Sequence, residues 1–442
     1  MRTYPDQLAI TPLSRSFDVT LRPPGSKSLT NRALLLAALA EGDSTLDRPL
    51  IADDTLRMLG ALDELGFHVT QSQDNRTITV AGQRGTIPSE TAALHLGNAG
   101  TAMRSLTGAC CLGHGTYELD GIARMRQRPI DELVAPLREL GADISYLGNK
   151  GFPPLLINAN GMNGGTLTLK STLSSQFITA LLIAAPYFDQ GLTIHFEGPI
   201  TSWPYVQMTL QLMRHFGIDA QLTPDRSTIT VAHGHYTAAD YAVEPDASSA
   251  SYFLAAAAAI PNSRCVIAGL TRDSLQGDHR FIDVLTAMNA NTGTDEQGNL
   301  CVQSQSGTRL RGFDLDLNAI PDAAMTGATL AVLADGPTTI RNVGNWRVKE
   351  TDRMHAMQTE LTKAGASVTV TNDDITIVPP ADGQLTAATI DTYDDHRMAM
   401  SFAILGLAQP GITLNDPGCV AKTYPGFFDD LDQLRASQET GS

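Results

Sequence analysis

The stretch Gly25-Ser26-Lys27-Ser28, followed by an apolar run to Ala40 and then by Ser44-Thr45-Leu46, decides how this chain folds. It is the first copy of a unit that recurs six times along the 442 residues. Every copy combines an alanine-rich apolar segment, long enough for a helix, with a short strand after it. A polar signature stands just before each helix or in its first turn. The other five signatures are Gly97-Asn98-Ala99-Gly100-Thr101, Ser174-Ser175-Gln176, Asp246-Ala247-Ser248-Ser249, Asp322-Ala323-Ala324-Met325 and Asp394-Asp395-His396-Arg397.

The polar signatures point to an anionic ligand. A helix start exposes unpaired backbone N–H groups and the positive end of the helix dipole, and both favour anions. Because the six starts also carry Lys, Arg, Ser and Gln side chains, they predict a site for a small molecule with several phosphate or carboxylate groups.

Composition and charge argue against several other classes of partner. The net charge of −16 argues against nucleic acid or an anionic membrane surface. No stretch reaches the length of a membrane-spanning helix, and the N-terminus has no apolar signal segment. The 5 cysteines include no CxxC pair, which argues against a disulfide framework or a zinc site and favours a reducing compartment. We therefore expect a cytoplasmic protein of two domains.

A second helix and a hairpin complete each copy. Residues 54–65 have helical periodicity before Gly66, a residue suited to end a helix, and their apolar stripe is predicted at Leu56, Leu59, Leu62 and Leu65. Alternating strands follow at 67–70 and 77–80. The fourth copy is weaker, because its helix at 281–288 lacks the final glycine. A propeller or a solenoid is the alternative architecture for a repeat, but these units are long and mix helices with strands.

The sixth copy breaks off after a helix at 427–434, so its strands must come from elsewhere in the chain. The N-terminal run Phe17-Asp18-Val19-Thr20-Leu21 alternates and is predicted to supply them. The chain then crosses between domains twice, near Pro24 and near Glu244-Pro245. We expect a first lobe at 25–243 and a second lobe at 1–24 plus 244–442, each with three repeat units.

Eight longer motifs stand in order along nearly the whole chain. They are Pro24-Gly25-Ser26-Lys27-Ser28-Leu29-Thr30-Asn31-Arg32, Leu96-Gly97-Asn98-Ala99-Gly100-Thr101-Ala102-Met103-Arg104, Arg128-Pro129-Ile130, Ser174-Ser175-Gln176-Phe177, Pro321-Asp322-Ala323-Ala324-Met325, Asn345-Trp346-Arg347-Val348-Lys349-Glu350-Thr351-Asp352-Arg353, Asp395-His396-Arg397-Met398-Ala399-Met400 and Ala421-Lys422-Thr423. In this order they resemble the signatures of the 5-enolpyruvylshikimate-3-phosphate synthase family of enolpyruvyl transferases. The resemblance implies an α/β (α+β) fold of two similar lobes, each of three βαβαββ units, of the inside-out α/β barrel type.

The resemblance also implies a reaction of aromatic amino-acid biosynthesis, in the shikimate pathway that leads to chorismate. The 5-hydroxyl of shikimate 3-phosphate attacks C2 of phosphoenolpyruvate while C3 is protonated, and the tetrahedral intermediate then loses phosphate and a C3 proton. The family uses no metal and no organic cofactor. The implied partners are the two small-molecule substrates, for a monomer that binds neither nucleic acid nor membrane.

The resemblance assigns ligands to both substrates. Those for phosphoenolpyruvate are Lys27, Gly100, Arg128, Gln176, Arg353, Arg397 and Lys422. Arginine suits this task because its planar fork meets carboxylate and phosphate oxygens in pairs. Those for shikimate 3-phosphate are Lys27, Ser28, Arg32, Ser174, Ser175, Gln176, Ser202, Asp322, Asn345 and Lys349. The paired serines at 174 and 175 could also be helix caps.

Three residues are assigned by the resemblance to proton transfer. Asp322 takes the proton of the hydroxyl group, and Glu350 and Lys27 act at the methylene carbon. Asp54 and His396 are weaker candidates, and Asp322 could instead be a helix cap. The sequence leaves the division of roles among the three open.

Two positions depart from the family pattern. The family usually has proline where this chain has Ser105, and commonly a basic residue where it has Trp203. The family's inhibitor, glyphosate, occupies the phosphoenolpyruvate site. Proline suits the first turn of a helix, so Ser105 is predicted to free the helix start at Gly100 and to weaken glyphosate binding.

Two alternative functions are weighed against this one. A related enolpyruvyl transferase acts on UDP-N-acetylglucosamine with a cysteine on a mobile loop, whereas Cys110 and Cys111 lie in an apolar helix and are predicted to be core. A non-catalytic phospho-ligand binding protein on the same scaffold is expected to have lost Asp322, Glu350 or Lys27, and all three are present.

Overall fold

The structure is a computed structural model and describes residues 4–170 and 174–437. These residues form two compact units, which we call the central unit (25–243) and the terminal unit (4–24 with 244–437). The ends of the predicted second lobe, 1–3 and 438–442, lie outside the described residues. No helix in the described part of the chain is both long and apolar enough to cross a lipid bilayer.

Helices occur in pairs, as the repeat predicts, and the first of each pair is the one that follows the polar signature. The central unit contains α1 (Lys27–Leu39), α2 (Asp53–Glu64), α3 (Gly100–Cys110), α4 (Asp131–Glu139), α5 (Ser175–Ala184) and α6 (Trp203–His215). The terminal unit contains α7 (Ala247–Ala259), α8 (Phe281–Ala287), α9 (Ala324–Leu330), α10 (Arg353–Lys363), α11 (His396–Ala408) and α12 (Phe427–Ala436).

The strands alternate with these helices along the chain. Those of the N-terminal segment and the central unit are β1 (Gln7–Ala9), β2 (Asp18–Leu21), β3 (Glu41–Asp47), β4 (His68–Gln71), β5 (Thr77–Gln83), β6 (Thr91–His95), β7 (His114–Asp120), β8 (Asp143–Tyr146), β9 (Leu155–Asn160), β10 (Gly165–Lys170), β11 (Leu192–Glu197), β12 (Gln221–Leu222), β13 (Thr228–Val231) and β14 (Tyr241–Ala242). Those that follow are β15 (Arg264–Thr271), β16 (Asn291–Thr294), β17 (Asn299–Gln303), β18 (Asp314–Asp316), β19 (Thr338–Arg341), β20 (Ser367–Val370), β21 (Ile375–Val378), β22 (Ala388–Ile390) and β23 (Ile412–Asn415).

Each copy contributes one mixed sheet. In the second copy the order is β6-β7-β9-β8, where β6 and β7 are parallel and the hairpin strand β9 is antiparallel to β7. The same order recurs in β14-β3-β5-β4, β10-β11-β13-β12, β2-β15-β17-β16 and β18-β19-β21-β20, and β22-β23-β1 is its three-stranded form. Because each copy adds two helices to its sheet, it is not the all-β blade of a propeller. The predicted α/β repeat fold is confirmed.

The two N-terminal strands belong to different sheets, so the prediction that residues 17–21 complete the sixth copy is wrong. β2 pairs in parallel with β15, with Asp18 opposite Arg264, and is the first strand of the fourth copy. β1 pairs with β23, with Leu8 opposite Leu414, and it is this strand that completes the sixth copy. Alternation in a sequence shows that one face of a strand is buried, but it does not select the sheet that the strand joins.

The alanine-rich helices form the interior of each unit. They are apolar on every side, and a helix of that kind is stable only when it is buried. In the terminal unit α7, α9 and α11 pack against one another. In the central unit α3 packs against α5, and a Cβ atom at Gly108 would lie 2.7 Å from the carbonyl oxygen of Ala180, so glycine permits this close approach.

The second helices are half exposed, and α2 shows how their buried face is selected. Leu62 and Leu65 are buried as predicted, but Leu56 is 40 % exposed, and Met58 is buried instead. A spacing of three residues falls short of a full turn by roughly 60° at each step, so the predicted stripe winds away from the core.

The helix of the fourth copy ends without glycine, and asparagine takes its place. Gly66, Gly141 and Gly365 follow their helices with φ of 85°, 107° and 101°, and Asn289 does the same with φ of 70°. Asparagine is the residue that most often replaces glycine in this left-handed position. The fourth copy is therefore as regular as the others at this point.

Candidate functional site

Six of the residues assigned to the site lie at or just before the starts of helices. Lys27, Gly100, Ser175 and Arg353 are the first residues of α1, α3, α5 and α10. Asp322 comes two residues before α9, and Arg397 is the second residue of α11. The repeat thus places its polar signatures where backbone N–H groups are unpaired.

A carboxylate among three cations lies at the centre of the site in the terminal unit. Arg353 Nη1 donates to Asp322 Oδ1 at 3.0 Å, and Arg397 Nη2 donates to Asp322 Oδ2 at 2.9 Å. Lys349 Nζ lies 3.5 Å from Asp322 Oδ1. Because the Asp322 side chain is 14 % exposed, solvent and small ligands can reach this carboxylate.

Arg353 is the buried member that joins the cluster. It is 1 % exposed, and it donates to Glu350 Oε2 at 2.9 Å and to the two oxygens of Asp395, from Nε at 2.7 Å and from Nη2 at 3.2 Å. Burial opposes the charge of the guanidinium, but the carboxylates of Asp395, Glu350 and Asp322 outweigh burial and raise the pKa of Arg353. Arg353 therefore stays charged inside the protein and holds three carboxylates together.

The start of α11 belongs to the same cluster. Asp395 caps this helix by accepting from the backbone N of Arg397 at 2.9 Å. Arg397 also donates from Nη1 to Tyr252 Oη at 3.4 Å. His396 is fully buried, with Nδ1 at 3.6 Å from Asp395 Oδ1. Asp395 thus contacts both arginines, a role that the sequence analysis missed, and its position directly before a helix of apolar residues is the signal that could have revealed it.

Asp322 lies one residue before the N-cap position of α9. The N-cap residue of α9 is Ala323, so the prediction that Asp322 occupies the N-cap position is wrong. The turn that carries Asn345, Gly344–Val348, precedes Lys349 and is anchored by Trp346, whose Nε1 donates to the carbonyl oxygen of Pro321 at 2.7 Å. This bond ties the segment of Lys349 to the residue before Asp322.

In the central unit Lys27 pairs with Asp54. Lys27 Nζ lies 3.2 Å from Asp54 Oδ2, and the two side chains are 10 % and 1 % exposed. They stand in the first turns of α1 and α2. The weaker proton-transfer candidate, Asp54, is therefore the ion-pair partner of a stronger one.

Arg128 is oriented by Asn98 at the start of α3. Its Nη1 donates to the backbone oxygen and to Oδ1 of Asn98, each at 3.0 Å. A Cβ atom at Gly100 would lie 2.5 Å from Arg128 Nη2, so the glycine makes room for the guanidinium. The structure therefore brings two assigned residues, Gly100 and Arg128, into contact, and Asn98 is a second residue that the sequence analysis left unassigned.

Arg32 packs between helices. It is 2 % exposed and donates to the carbonyl oxygen of Ser28 at 2.9 Å, to Thr209 Oγ1 at 2.9 Å and to Thr179 Oγ1 at 3.2 Å. Burial lowers the pKa of Arg32 to about 10, partly opposed by Tyr205. These contacts join α1, α5 and α6 around one guanidinium.

The other assigned residues occupy helix starts and turns. Ser174 caps α5 by accepting from the backbone N of Gln176 at 3.3 Å, so the capping interpretation of Ser174 is confirmed. Ser202 is the N-cap residue of α6 and has left-handed φ of 53°. Lys422 ends the turn Pro417–Lys422 and is 7 % exposed.

The two departures from the family pattern lie in different surroundings. Ser105 is the sixth residue of α3, in its second turn, so the argument that residue 105 belongs to the first turn is wrong. The indole of Trp203 at the start of α6 lies under the guanidinium of Arg226, with 5.0 Å between the Arg226 Cζ and the ring centre. A cation therefore stands over the ring of residue 203 even though that residue is not itself basic.

Histidine, cysteine and carboxylate side chains do not gather into a metal-binding group of three or more within residues 4–170 and 174–437. The cations of the site face carboxylates and neutral oxygens instead. These cations suit an anionic ligand, because its oxygens can replace the internal carboxylates as acceptors of the same hydrogen bonds.

Comparisons with known proteins identify one family. A family model described as EPSP synthase (3-phosphoshikimate 1-carboxyvinyltransferase) matches residues 14–431. A 3-phosphoshikimate 1-carboxyvinyltransferase of Vibrio atlanticus is 49 % identical over 433 residues, which cover 97 % of this chain and 99 % of the relative. The solved EPSP synthase of Acinetobacter baumannii aligns with a TM-score of 0.78 at 26 % identity and covers 97 % of this chain and 98 % of its own.

A second solved structure supports the fold alone. The enolpyruvyl transferase NikO of Streptomyces tendae aligns with a TM-score of 0.75 at 16 % identity, over 97 % of this chain and 96 % of its own. The family model and the relative from Vibrio atlanticus both span the segments that carry Lys27, Asp322 and Arg353, and the resemblance stated from the motifs is confirmed. The chain belongs to the EPSP synthase (3-phosphoshikimate 1-carboxyvinyltransferase) family.

Proposed function

We propose that this enzyme transfers the enolpyruvyl group of phosphoenolpyruvate to the 5-hydroxyl of shikimate 3-phosphate and releases phosphate. The observation that carries the proposal is the cluster around Asp322, where one accessible carboxylate meets Arg353, Arg397 and Lys349. Such a cluster offers both a proton acceptor and fixed cations for anionic substrates, and this addition and elimination needs both.

The reaction assigns a task to each titratable group. In the addition step the substrate oxygen bonds to C2, the hydroxyl proton passes to Asp322, and C3 gains a proton. In the elimination step the bond from C2 to the phosphate oxygen breaks and C3 loses a proton. Glu350 and Lys27 transfer the protons that C3 gains and loses. The ion pair of Lys27 with Asp54, at 3.2 Å, holds the ammonium group in place.

We propose that the two units are the domains of the protein. Phosphoenolpyruvate takes the cations and donors Lys27, Gly100, Arg128, Gln176, Arg353, Arg397 and Lys422. Shikimate 3-phosphate takes Lys27, Ser28, Arg32, Ser174, Ser175, Gln176, Ser202, Asp322, Asn345 and Lys349. The protein is further proposed to act as a monomer in the cytoplasm, in the synthesis of aromatic amino acids.

The cysteines give no support to a UDP-N-acetylglucosamine acceptor. Cys110 is the last residue of α3 and Cys111 follows it; both are buried, and burial raises the pKa of both thiols, that of Cys111 to about 12. A nucleophilic or acidic cysteine needs an exposed site with a lowered pKa. Their prediction as core residues is confirmed.

Phosphate release tests the proposal directly. The purified enzyme is incubated with phosphoenolpyruvate and either shikimate 3-phosphate or UDP-N-acetylglucosamine, and inorganic phosphate is measured over time. We expect phosphate release when shikimate 3-phosphate is the acceptor and no release when UDP-N-acetylglucosamine is the acceptor. Phosphate release with the sugar nucleotide, or no release with either acceptor, would contradict the proposal.

Exchanging Arg128 for lysine should weaken phosphoenolpyruvate binding. Lysine keeps the charge but cannot donate to Asn98 and to the substrate with one planar fork. We expect KM for phosphoenolpyruvate to rise by about tenfold or more, the scale of one lost charge-assisted hydrogen bond, with a smaller change in kcat. Steady-state kinetics at saturating shikimate 3-phosphate measure both constants.

Arg126→Lys is the matched control for this experiment. Arg126 lies two residues away, is 53 % exposed and donates from Nε to Asp120 Oδ1 at 2.9 Å. The same substitution there should leave KM for phosphoenolpyruvate within about twofold, because an exposed ion pair contributes little. An equal rise of KM in both variants would show that the effect of Arg128→Lys is not specific to the site.

Glyphosate is proposed to compete with phosphoenolpyruvate and to bind weakly because of Ser105. A proline at position 105 would remove a helical N–H and would crowd the carbonyl of Thr101 one turn earlier, next to Gly100. We expect Ser105→Pro to lower the inhibition constant of glyphosate and to change KM for phosphoenolpyruvate less. Inhibition constants of both forms at varied phosphoenolpyruvate decide the matter, and equal constants would refute the role of Ser105.

A further inference from the structure

We propose that Tyr393 is a positioning residue for the two anion-binding arginines of the terminal unit, acting through Glu360 on the loop that leads into α11. This inference rests on the proposed function, because that function assigns Arg353 and Arg397 to phosphoenolpyruvate. The loop (391–395) connects β22 to α11 and ends at Asp395.

The backbone of this loop is strained at two consecutive residues. Tyr393 has φ of 56° and Asp394 has φ of 53°, so both occupy the left-handed region without being glycine. That region is costly for residues with a Cβ atom, and it persists only where surrounding contacts hold it. The residue after them is Asp395, whose carboxylate accepts from Arg353 and from the backbone of Arg397.

The carboxylate of Glu360 binds the loop through hydrogen bonds. It is fully buried on α10, two turns after Arg353. Its Oε1 accepts from Tyr393 Oη at 2.7 Å, its Oε2 accepts from the backbone N of Asp391 at 3.1 Å, and Lys363 Nζ lies 2.9 Å from Oε2. One carboxylate therefore binds both the first and the third residue of the loop.

The first residue of the loop is fixed on both sides as well. Asp391 Oδ2 accepts from Lys363 Nζ at 2.8 Å, and Asp391 Oδ1 accepts from Asn415 Nδ2 at 2.6 Å. At the other end, the backbone N of Asp395 donates to the carbonyl oxygen of Thr392 at 2.9 Å. Between these fixed ends, Tyr393 Oη donates to Glu360 at the strained position, and Thr392 Oγ1 donates to the carbonyl oxygen of Asp416 at 3.4 Å.

These bonds connect one helix to the loop at two points. α10 holds Asp395 through Arg353 and holds Tyr393 through Glu360, so the rigid helix sets the distance between the two points. Asp395 in turn orients the start of α11, which carries Arg397. Burial and the bond to Glu360 raise the pKa of Tyr393 to about 12, so its hydroxyl remains a donor at neutral pH. Loss of that donor should let the strained loop relax and shift Asp395 with it.

Tyr393→Phe removes this donor and little else. Lys363 still donates to Glu360 Oε1 at 3.0 Å, so the buried carboxylate keeps a partner and the variant should fold. We expect KM for phosphoenolpyruvate to rise about three- to tenfold, with kcat and KM for shikimate 3-phosphate within about twofold, the loss expected for one hydrogen bond. Tm should fall by a few degrees at most.

A second variant and a double variant sharpen the test. Glu360→Gln weakens the same bond from the other side and should raise KM for phosphoenolpyruvate in the same direction. If the two residues act through one bond, the double variant raises KM no more than the larger single change. Tyr146→Phe is the control, because Tyr146 Oη donates to Asp131 Oδ1 at 2.5 Å on the surface of the central unit, and its loss should leave KM unchanged.

The outcomes separate this inference from the proposed function. A lower Tm with unchanged KM would mean that the bond only stabilises the fold and would overturn the positioning role. A rise in KM that is purely additive in the double variant, or equal to that of Tyr146→Phe, would overturn it too. Absence of phosphate release by the unaltered enzyme would refute the proposed function and, with it, the role assigned to Tyr393.

Discussion

Asp322→Asn should lower kcat by about a hundredfold or more, the usual scale for loss of a general base. Asparagine keeps the size of the side chain, but its amide cannot take the hydroxyl proton. It also turns an NH₂ group toward Arg353 or Arg397, each of which now donates to a carboxylate oxygen at 3.0 Å or 2.9 Å. Binding of shikimate 3-phosphate should be largely retained. Single-turnover phosphate release and calorimetric titration with shikimate 3-phosphate measure the two effects separately.

Asp314→Asn provides the control for this prediction. Asp314 is an exposed carboxylate of the same unit, and Arg341 donates to it from Nε at 2.6 Å. Its loss should leave kcat unchanged within about twofold, because the pair is exposed to solvent. A kcat of Asp322→Asn within a few-fold of the unaltered enzyme would show that Asp322 is only an ion-pair partner.

Arg353→Leu should reduce the free energy of unfolding by about 3–5 kcal/mol, because it leaves buried carboxylates without their cation. Glu350 and Asp395 are 7 % and 0 % exposed, and both now accept from Arg353. Urea denaturation measures the loss. In the variant these carboxylates should take up protons on folding, so its free energy of unfolding should increase as the pH falls. The difference in the free energy of unfolding between the variant and the unaltered enzyme should therefore become smaller at lower pH. If that difference stayed constant from pH 8 to pH 5, the loss of stability would not come from the unpaired carboxylates.

Arg341→Leu is the matched control in the same unit. Arg341 also pairs with two carboxylates, Asp314 and Asp374, at 2.6 Å and 3.2 Å, but its side chain is 47 % exposed. Water can solvate the carboxylates that it leaves behind, so the loss in the free energy of unfolding should be much smaller than that of Arg353→Leu. Equal losses in the two variants would mean that burial does not set the strength of these pairs.

The sequence alone predicted the repeat, the helices and most strands, because these depend on residues close together in the chain. The alanine-rich segments can only be buried helices, and the glycines after 65, 140 and 364 mark helix ends. The motifs identified the family and predicted that Asp322, Glu350 and Arg353 belong to one site. Asp395, which accepts from Arg353, and Asn98, which accepts from Arg128, were quoted in the motifs but had no assigned role.

Pairing over long distances was decided only by the tertiary structure. Residues 17–21 alternate in the same way whichever sheet they join, and the fold places Asp18 opposite a residue 246 positions later. The partners of Asp322 lie 31 and 75 positions away, and a sequence pattern does not reveal which cations will face a given carboxylate. The left-handed pair at Tyr393 and Asp394 is likewise a product of packing, because local preference disfavours it and contacts with another helix hold it. Local periodicity therefore determined the elements of this protein, and burial of charge among distant elements determined its site.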